Sequence, residues 1–208
     1  MKGNLTVSHI NKYKEISAVI KSRLNDFKSV PAKDYFYELC YCICTPQSKA
    51  ANALIVQNML AENDFFNKAF DPTPILRSPS NYIRFHNQKA ARLLRVREEF
   101  NEISEIISSN MSNYEKRNWL ANNLNGFGMK ESSHFLRNIG YENLAILDRH
   151  ILRHLMNCGV FDELPKLTPE KNYISVESKF LEFADYVGIS LDELDLLFWA
   201  SSTGEIIK

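Results

Sequence analysis

Apolar residues recur three or four positions apart along most of this chain, the spacing that lines one side of a helix. The pattern predicts an amphipathic helix over residues 7–27, broken by Ser29-Val30-Pro31. Residues 34–44 are almost continuously apolar and read as a core helix, and Pro46 stands close to the start of the next, over 48–60. Pro72 and Pro74 mark a loop, and Ser78-Pro79-Ser80 opens another helix. Residues 87–108 read as a long amphipathic helix with a candidate break near Phe100. Helical spacing returns over 114–124, 130–139 and 149–155, then, past a loop at 164–169, over 172–187 and 191–201. No stretch alternates convincingly as a strand does, and no repeat, low-complexity tract or long linker is visible. The expected fold class is all-α.

One junction between these helices is unusual. Asn125-Gly126-Phe127-Gly128 separates the helix at 114–124 from the helix at 130–139, which Gly140 stops. Two glycines can each adopt positive φ, so the segment reads as a helix-hairpin-helix. Amides at such a turn and at the start of the second helix can face an anion, and the helix dipole favours negative charge there. A glycine-rich turn between two packed helices has the same sequence.

Lys130 stands at the start of the second hairpin helix, where the dipole gives a cation no help. An amine nucleophile needs its neutral form, and both partial burial and a helix N-terminus lower a lysine pKa from about 10.4. A solvated helix lysine is the plainer reading. Asp148 directly precedes an amphipathic helical run and is a preferred N-cap residue. A capping carboxylate keeps a second oxygen free, so a cap and a catalytic group are compatible. The helix from Lys130 is roughly 15 Å long, and the segment after it can span about 23 Å when extended. Asp148 can therefore return to the lysine end.

With these residues the chain resembles the helix-hairpin-helix DNA glycosylases, and most nearly the second, archaeal-type family of 8-oxoguanine DNA glycosylase/lyases. GFGMKESSHFLRN followed by LAILDRHIL carries the resemblance, supported by LCYCICTPQSKAA, RFHNQKA and LDLLFWASSTGEIIK. It covers nearly the whole chain; the first 30 residues are the least distinctive. The resemblance implies that Lys130 attacks C1′ of the damaged nucleotide and that Asp148 is the catalytic carboxylate. The target base must then be flipped out of the duplex. Phe85 and Trp199 are implied as walls around it, and Lys208, at the chain end, as a recognition residue. Either aromatic could equally be core. The resemblance also implies two helical lobes flanking a cleft, at 1–45 plus 148–208 and at 46–147. The expected DNA contacts are Asn125, Gly126, Phe127 and Gly128 at the hairpin, with Arg84, Lys89 and His134; for His134, packing is the other reading.

Composition changes the picture little: 45% apolar and 24% charged residues in 208 describe a folded globular chain. No stretch is a membrane span or a signal peptide, so a cytoplasmic, nucleoid-associated monomer is expected, with damaged double-stranded DNA as partner and no membrane. A formal net charge of zero argues mildly against a nucleic-acid partner. Its distribution argues the other way, because residues 77–97 hold six cations and no acid. A solvated helix side fits that run equally well. Residues 177–195 are acidic. Cys40, Cys42 and Cys44 with the distant Cys158 match neither a zinc site nor an iron–sulfur run. Relatives such as endonuclease III carry a C-terminal four-cysteine cluster, which is missing here, so no cofactor is expected; a monovalent ion at the hairpin is compatible. A zinc deaminase is excluded, since H-x-E and P-C-x-x-C do not occur. Two other classes stay open. A non-catalytic hairpin module would have no use for Lys130 and Asp148 together. A glycosylase for pyrimidines or mispaired adenine would usually carry the cluster cysteines or lack the lysine.

Overall fold

The computed structural model of the chain describes residues 3–208. Its helices are α1 Val7–Lys28, α2 Tyr35–Cys44, α3 Ala50–Glu62, α4 Phe65–Lys68, α5 Thr73–Arg77 and α6 His86–Ser108. They continue with α7 Asn113–Asn123, α8 Met129–Asn138, α9 Arg149–Asn157, α10 Glu170–Val187 and α11 Leu191–Thr203. No strand occurs among the described residues. The chain divides into two compact units. One comprises the chain up to Ser29 with Leu136–Ile206 and Lys208; the other comprises Val30–Phe135 and Ile207. The boundaries therefore differ from those expected at residues 45/46 and 147/148. Helix α2 packs on α3 and α6, which draws residues 35–44 into the second unit.

In the first unit α11 packs against α1, α9 and α10. Thr6 caps α1, and Ser190 with Glu193 forms a reciprocal capping box at the start of α11. Phe180, Phe183, Leu194 and the run Leu196, Leu197, Phe198 are fully buried. Between α8 and α9 the chain is extended and buried from Leu144 to Leu147. Backbone groups hidden from water need partners, and α10 and α11 supply them. The Tyr173 hydroxyl donates to Ala145 O at 2.6 Å and accepts from Leu147 N at 3.2 Å. Glu177 accepts from Ala145 N at 2.8 Å, and Asp192 from Asn143 N at 3.1 Å. Asp195 pairs with the buried Arg137 at 3.4 Å. Three acids of the acidic 177–195 stretch are thus internal fixtures and not a solvated face.

The second unit is built on an aromatic core in which Phe36 touches Phe65, Phe66 and Phe100. Phe100 points into that cluster, so α6 runs unbroken through the position where an interruption was expected. The segment read as a loop around Pro72 and Pro74 contains α5, because Pro74 falls in the first turn, where a missing amide costs nothing. Ser78-Pro79-Ser80 begins only a 3₁₀ turn, Pro79–Asn81, and the long helix starts later, at His86.

Candidate active site

Ser112 and Glu115 box the start of α7, and its chain leaves the helix at Leu124 in an extended conformation. Phe127 N donates back to Leu124 O at 3.1 Å, and the Phe127 side chain turns into the core. Asn125, Gly126 and Gly128 stay exposed. Gly126 is at φ +84, and a Cβ there would meet the guanidinium of Arg92 at 2.3–2.5 Å. The positive φ favours glycine at 126, and any side chain there would push the mobile end of Arg92 aside. Gly128 is not in the positive-φ region; it opens α8, whose first returning bond is Ser132 N to Gly128 O at 3.0 Å. The amides of a helix's first turn have no partner within the helix, so those of α8 are available to face an anion. Two details of the sequence reading change here. Only one of the two glycines uses its conformational freedom, and the Phe127 amide is already spent within the turn.

Lys130 projects from this first turn, one-quarter exposed, with its amine 3.8 Å from Glu131 Oε1. Arg84 and Phe85 lie before α6. Phe85 caps that helix in the left-handed region, at φ 59 and ψ 35, and is 45% exposed. A bulky residue with positive φ and an exposed ring is an outlier that ordinary core packing does not explain. Arg84 is exposed, with its guanidinium 5.0 Å above the Phe85 ring and its amide donating to Ser48 Oγ at 3.0 Å.

Lys89 departs from the expected DNA contact. It is 2% exposed, and its ammonium donates to Cys44 O at 2.8 Å, Pro46 O at 2.6 Å and Ser48 Oγ at 3.3 Å. Three donors meet three acceptors, leaving none for a phosphate. Burial pulls its pKa down to about 8. His134 is also buried, edge-on against Tyr41 at 5.7 Å, which is the packing reading and not a surface phosphate contact. Arg97 is partly spent as well, donating to Phe66 O at 2.6 Å. Arg92 is the cation of the basic run that reaches the hairpin. Sequence marks it as basic but does not say that it meets Gly126.

These groups belong to the second unit. In the first, Asp148 caps α9: Oδ1 accepts from His150 N at 2.7 Å and Ile151 N at 3.0 Å. Its Oδ2 has no partner among the described residues. The buried segment before it is the one clamped by Tyr173 and Glu177, so the carboxylate is held at both ends. Trp199 is half-buried on α11, and His150 meets its ring edge-on at 5.6 Å. Beyond α11, Gly204 turns the chain at φ +83, and the last residue, Lys208, is half-buried instead of exposed. Each cysteine is buried as a free thiol; burial pushes Cys44 up to about 12 and Cys158 to about 11. No helix among the described residues is long and apolar enough to cross a membrane.

A family model described as 8-oxoguanine DNA glycosylase matches residues 20–189. An 8-oxoguanine DNA glycosylase/AP lyase of Fusobacterium nucleatum is 42% identical over the whole of both chains. Its counterpart in Methanocaldococcus jannaschii is 34% identical over 95% of each. The crystal structure of the Methanocaldococcus jannaschii 8-oxoguanine glycosylase/lyase in complex with DNA containing 8-oxoguanine superposes with a TM-score of 0.84. That match has 32% identity and covers 96% of this chain and 99% of that one. The 8-oxoguanine DNA glycosylase of Thermotoga maritima gives 0.85 at 28% identity, covering 97% of each. With its glycine-pinned hairpin, a lysine on the first turn beyond it and an aspartate capping a later helix, this chain belongs to the 8-oxoguanine DNA glycosylase family.

Proposed function

We propose that this protein excises 8-oxoguanine from DNA and then nicks the strand, with Lys130 as nucleophile and Asp148 as catalytic carboxylate. The Lys130 amine attacks C1′, the glycosidic bond breaks, and the purine leaves with the bonding pair and takes up a proton. Positive charge developing on the sugar is stabilised by the Asp148 oxygen that the cap leaves free. Ring opening gives an iminium between Nζ and C1′. That iminium acidifies C2′, loss of its proton expels the 3′ phosphate, and water then hydrolyses the imine to free the unsaturated aldehyde and restore the Lys130 amine. The hairpin amides, Arg84 and Arg92 hold the backbone. Phe85 and Trp199 stack on the flipped base, and the chain end at Lys208 takes part in recognising it. The observation that supports this most is the division of labour at Asp148: one oxygen is committed to α9 and the other is not.

The chemistry needs no organic cofactor or metal. A monovalent cation at the hairpin carbonyls is compatible with the scheme. Its place of action is the cytoplasm, at the nucleoid.

The test is a duplex carrying one 8-oxoguanine, analysed with and without hot alkali. The expected result is cleavage without alkali, leaving a 3′ unsaturated aldehyde and a 5′ phosphate, and an intact undamaged control. Breaks that appear only after alkali would remove the lyase step, and an uncut lesion strand would remove the proposal.

A further inference from the structure

Within the first unit, two histidines share a hydrogen bond that the scheme above does not use. His9 on α1 places Nε2 2.9 Å from Nδ1 of His154 on α9. The outer nitrogens are also occupied: His9 Nδ1 lies 3.0 Å from Thr6 Oγ1, and His154 Nε2 lies 2.8 Å from Ser202 Oγ on α11. Both rings pack on Phe198 with centroids 5.0 Å away, His154 almost parallel to it at 12°. Only one proton fits between the two facing nitrogens. Two neutral rings therefore form a one-way chain, either from Thr6 to Ser202 or in reverse, and every ring nitrogen is satisfied. Neutrality is enforced locally. Burial lowers the His9 pKa, and it takes His154 down to about 4, helped by His9 and His150 and opposed by Asp148. The Cys158 thiol lies 3.6 Å from His9 Nδ1.

The chain ends where the base pocket begins. His150 and His154 are one turn apart on α9, and both face α11: His150 meets Trp199, while His154 holds Ser202, three residues further on. Ser201, Ser202 and Thr203 are exposed, so the final turn of α11 has little core to hold it. Thr203 Oγ1 donates to Trp199 O at 2.9 Å and accepts from Glu205 N at 3.3 Å, linking the same turn to the C-terminal tail.

We propose that the His9–His154–Ser202 chain is a positioning device for the base pocket. It locks the last turn of α11, and with it Trp199 and the start of the tail, onto the helix that Asp148 caps. This rests on Trp199 being a base wall. His9 and His154 touch no substrate and act through the helix end.

The test separates base recognition from the lyase step, because a preformed abasic site presents no base. Ser202→Ala removes an exposed hydroxyl and should melt like the parent. His154→Phe keeps the ring stack on Phe198 and removes the hydrogen bonds. Single-turnover excision of 8-oxoguanine should fall about fivefold in each, the worth of one net hydrogen bond. Cleavage of a preformed abasic site should stay within about twofold of wild type. Equal losses on both substrates, or wild-type excision by both variants, would overturn the device. Trp199→Ala is measured alongside. If it excises 8-oxoguanine normally, the base-wall reading fails and the device falls with it. If it is defective while the other two are not, the device alone fails.

Discussion

At the scale of single residues, two readings from sequence fare differently, and spacing explains why. Asp148 was legible because a cap is a local event: an aspartate ahead of an apolar helical run makes its bonds within three residues. Asp148→Asn keeps a capping oxygen, so the fold should survive while excision drops by orders of magnitude. Asp148→Ala should in addition lose about 0.5–2 kcal/mol of stability. Denaturant melts beside turnover assays check both, and near-normal turnover in the asparagine variant would leave Asp148 as a cap alone. Lys89 is not a surface cation, because charge along a sequence carries no direction. It shares its side of α6 with Leu93, Val96 and Phe100, the buried stripe of that helix, and that period was visible in the sequence. Lys89→Met should therefore destabilise the second unit by orphaning the buried Cys44 carbonyl and the half-buried Pro46 carbonyl, about 1–3 kcal/mol each at most. The salt slope of DNA binding should not change. A slope smaller by about 0.9 would make Lys89 a phosphate ligand after all.

At the scale of elements, the long helices were legible and the irregular pieces were not. Periodicity marks a helix that keeps one face buried over several turns, as α1, α6 and α10 do. It says nothing of α4, a single turn flanked by Asp64 and Ala69 in left-handed conformations. It also says nothing of the extended segment before Asp148, which has no hydrogen-bonding partner of its own kind. That segment depends on side chains distant in sequence, Tyr173, Glu177 and Asp192. Tyr173→Phe leaves Ala145 O and Leu147 N without their shared partner. The expected cost is about 1–3 kcal/mol, with faster amide exchange at Leu147. Because Asp148 follows immediately, excision should weaken more than DNA binding does. Unchanged exchange at Leu147 would show that the tyrosine hydroxyl is dispensable.

At the scale of the whole molecule, sequence disclosed the helical class and the helix order, but not the division into units. Apolar spacing shows that a face is buried without showing what buries it, and α2 could have packed with either set of helices. Stability against pH is also a property of the whole, and two of its shifted groups pull in opposite directions. His154 has a folded pKa of about 4 against an ordinary 6.5. The unfolded chain gains that proton first, so stability is lost as pH falls from about 6.5 to 4. Burial raises Asp192 to about 6 from an ordinary 3.8. The folded chain holds that proton more tightly, so its contribution is lost as pH rises across nearly the same window. The two slopes oppose each other. Asp192→Asn should steepen the acid loss of stability, and His154→Phe should flatten it. Denaturant midpoints between pH 4.5 and 7 measure both, and parallel profiles for the two variants and wild type would contradict the assignments.

The central claim is that Lys130 bonds covalently to the damaged nucleotide, and borohydride reduction tests it most directly. Wild-type protein, a duplex with one 8-oxoguanine and borohydride should yield a stable protein–DNA adduct whose tryptic map places the sugar on Lys130. Lys130→Gln should bind the same duplex with comparable affinity and give no adduct. An adduct at wild-type level in Lys130→Gln, or a map that places the sugar on another amine, would contradict the account.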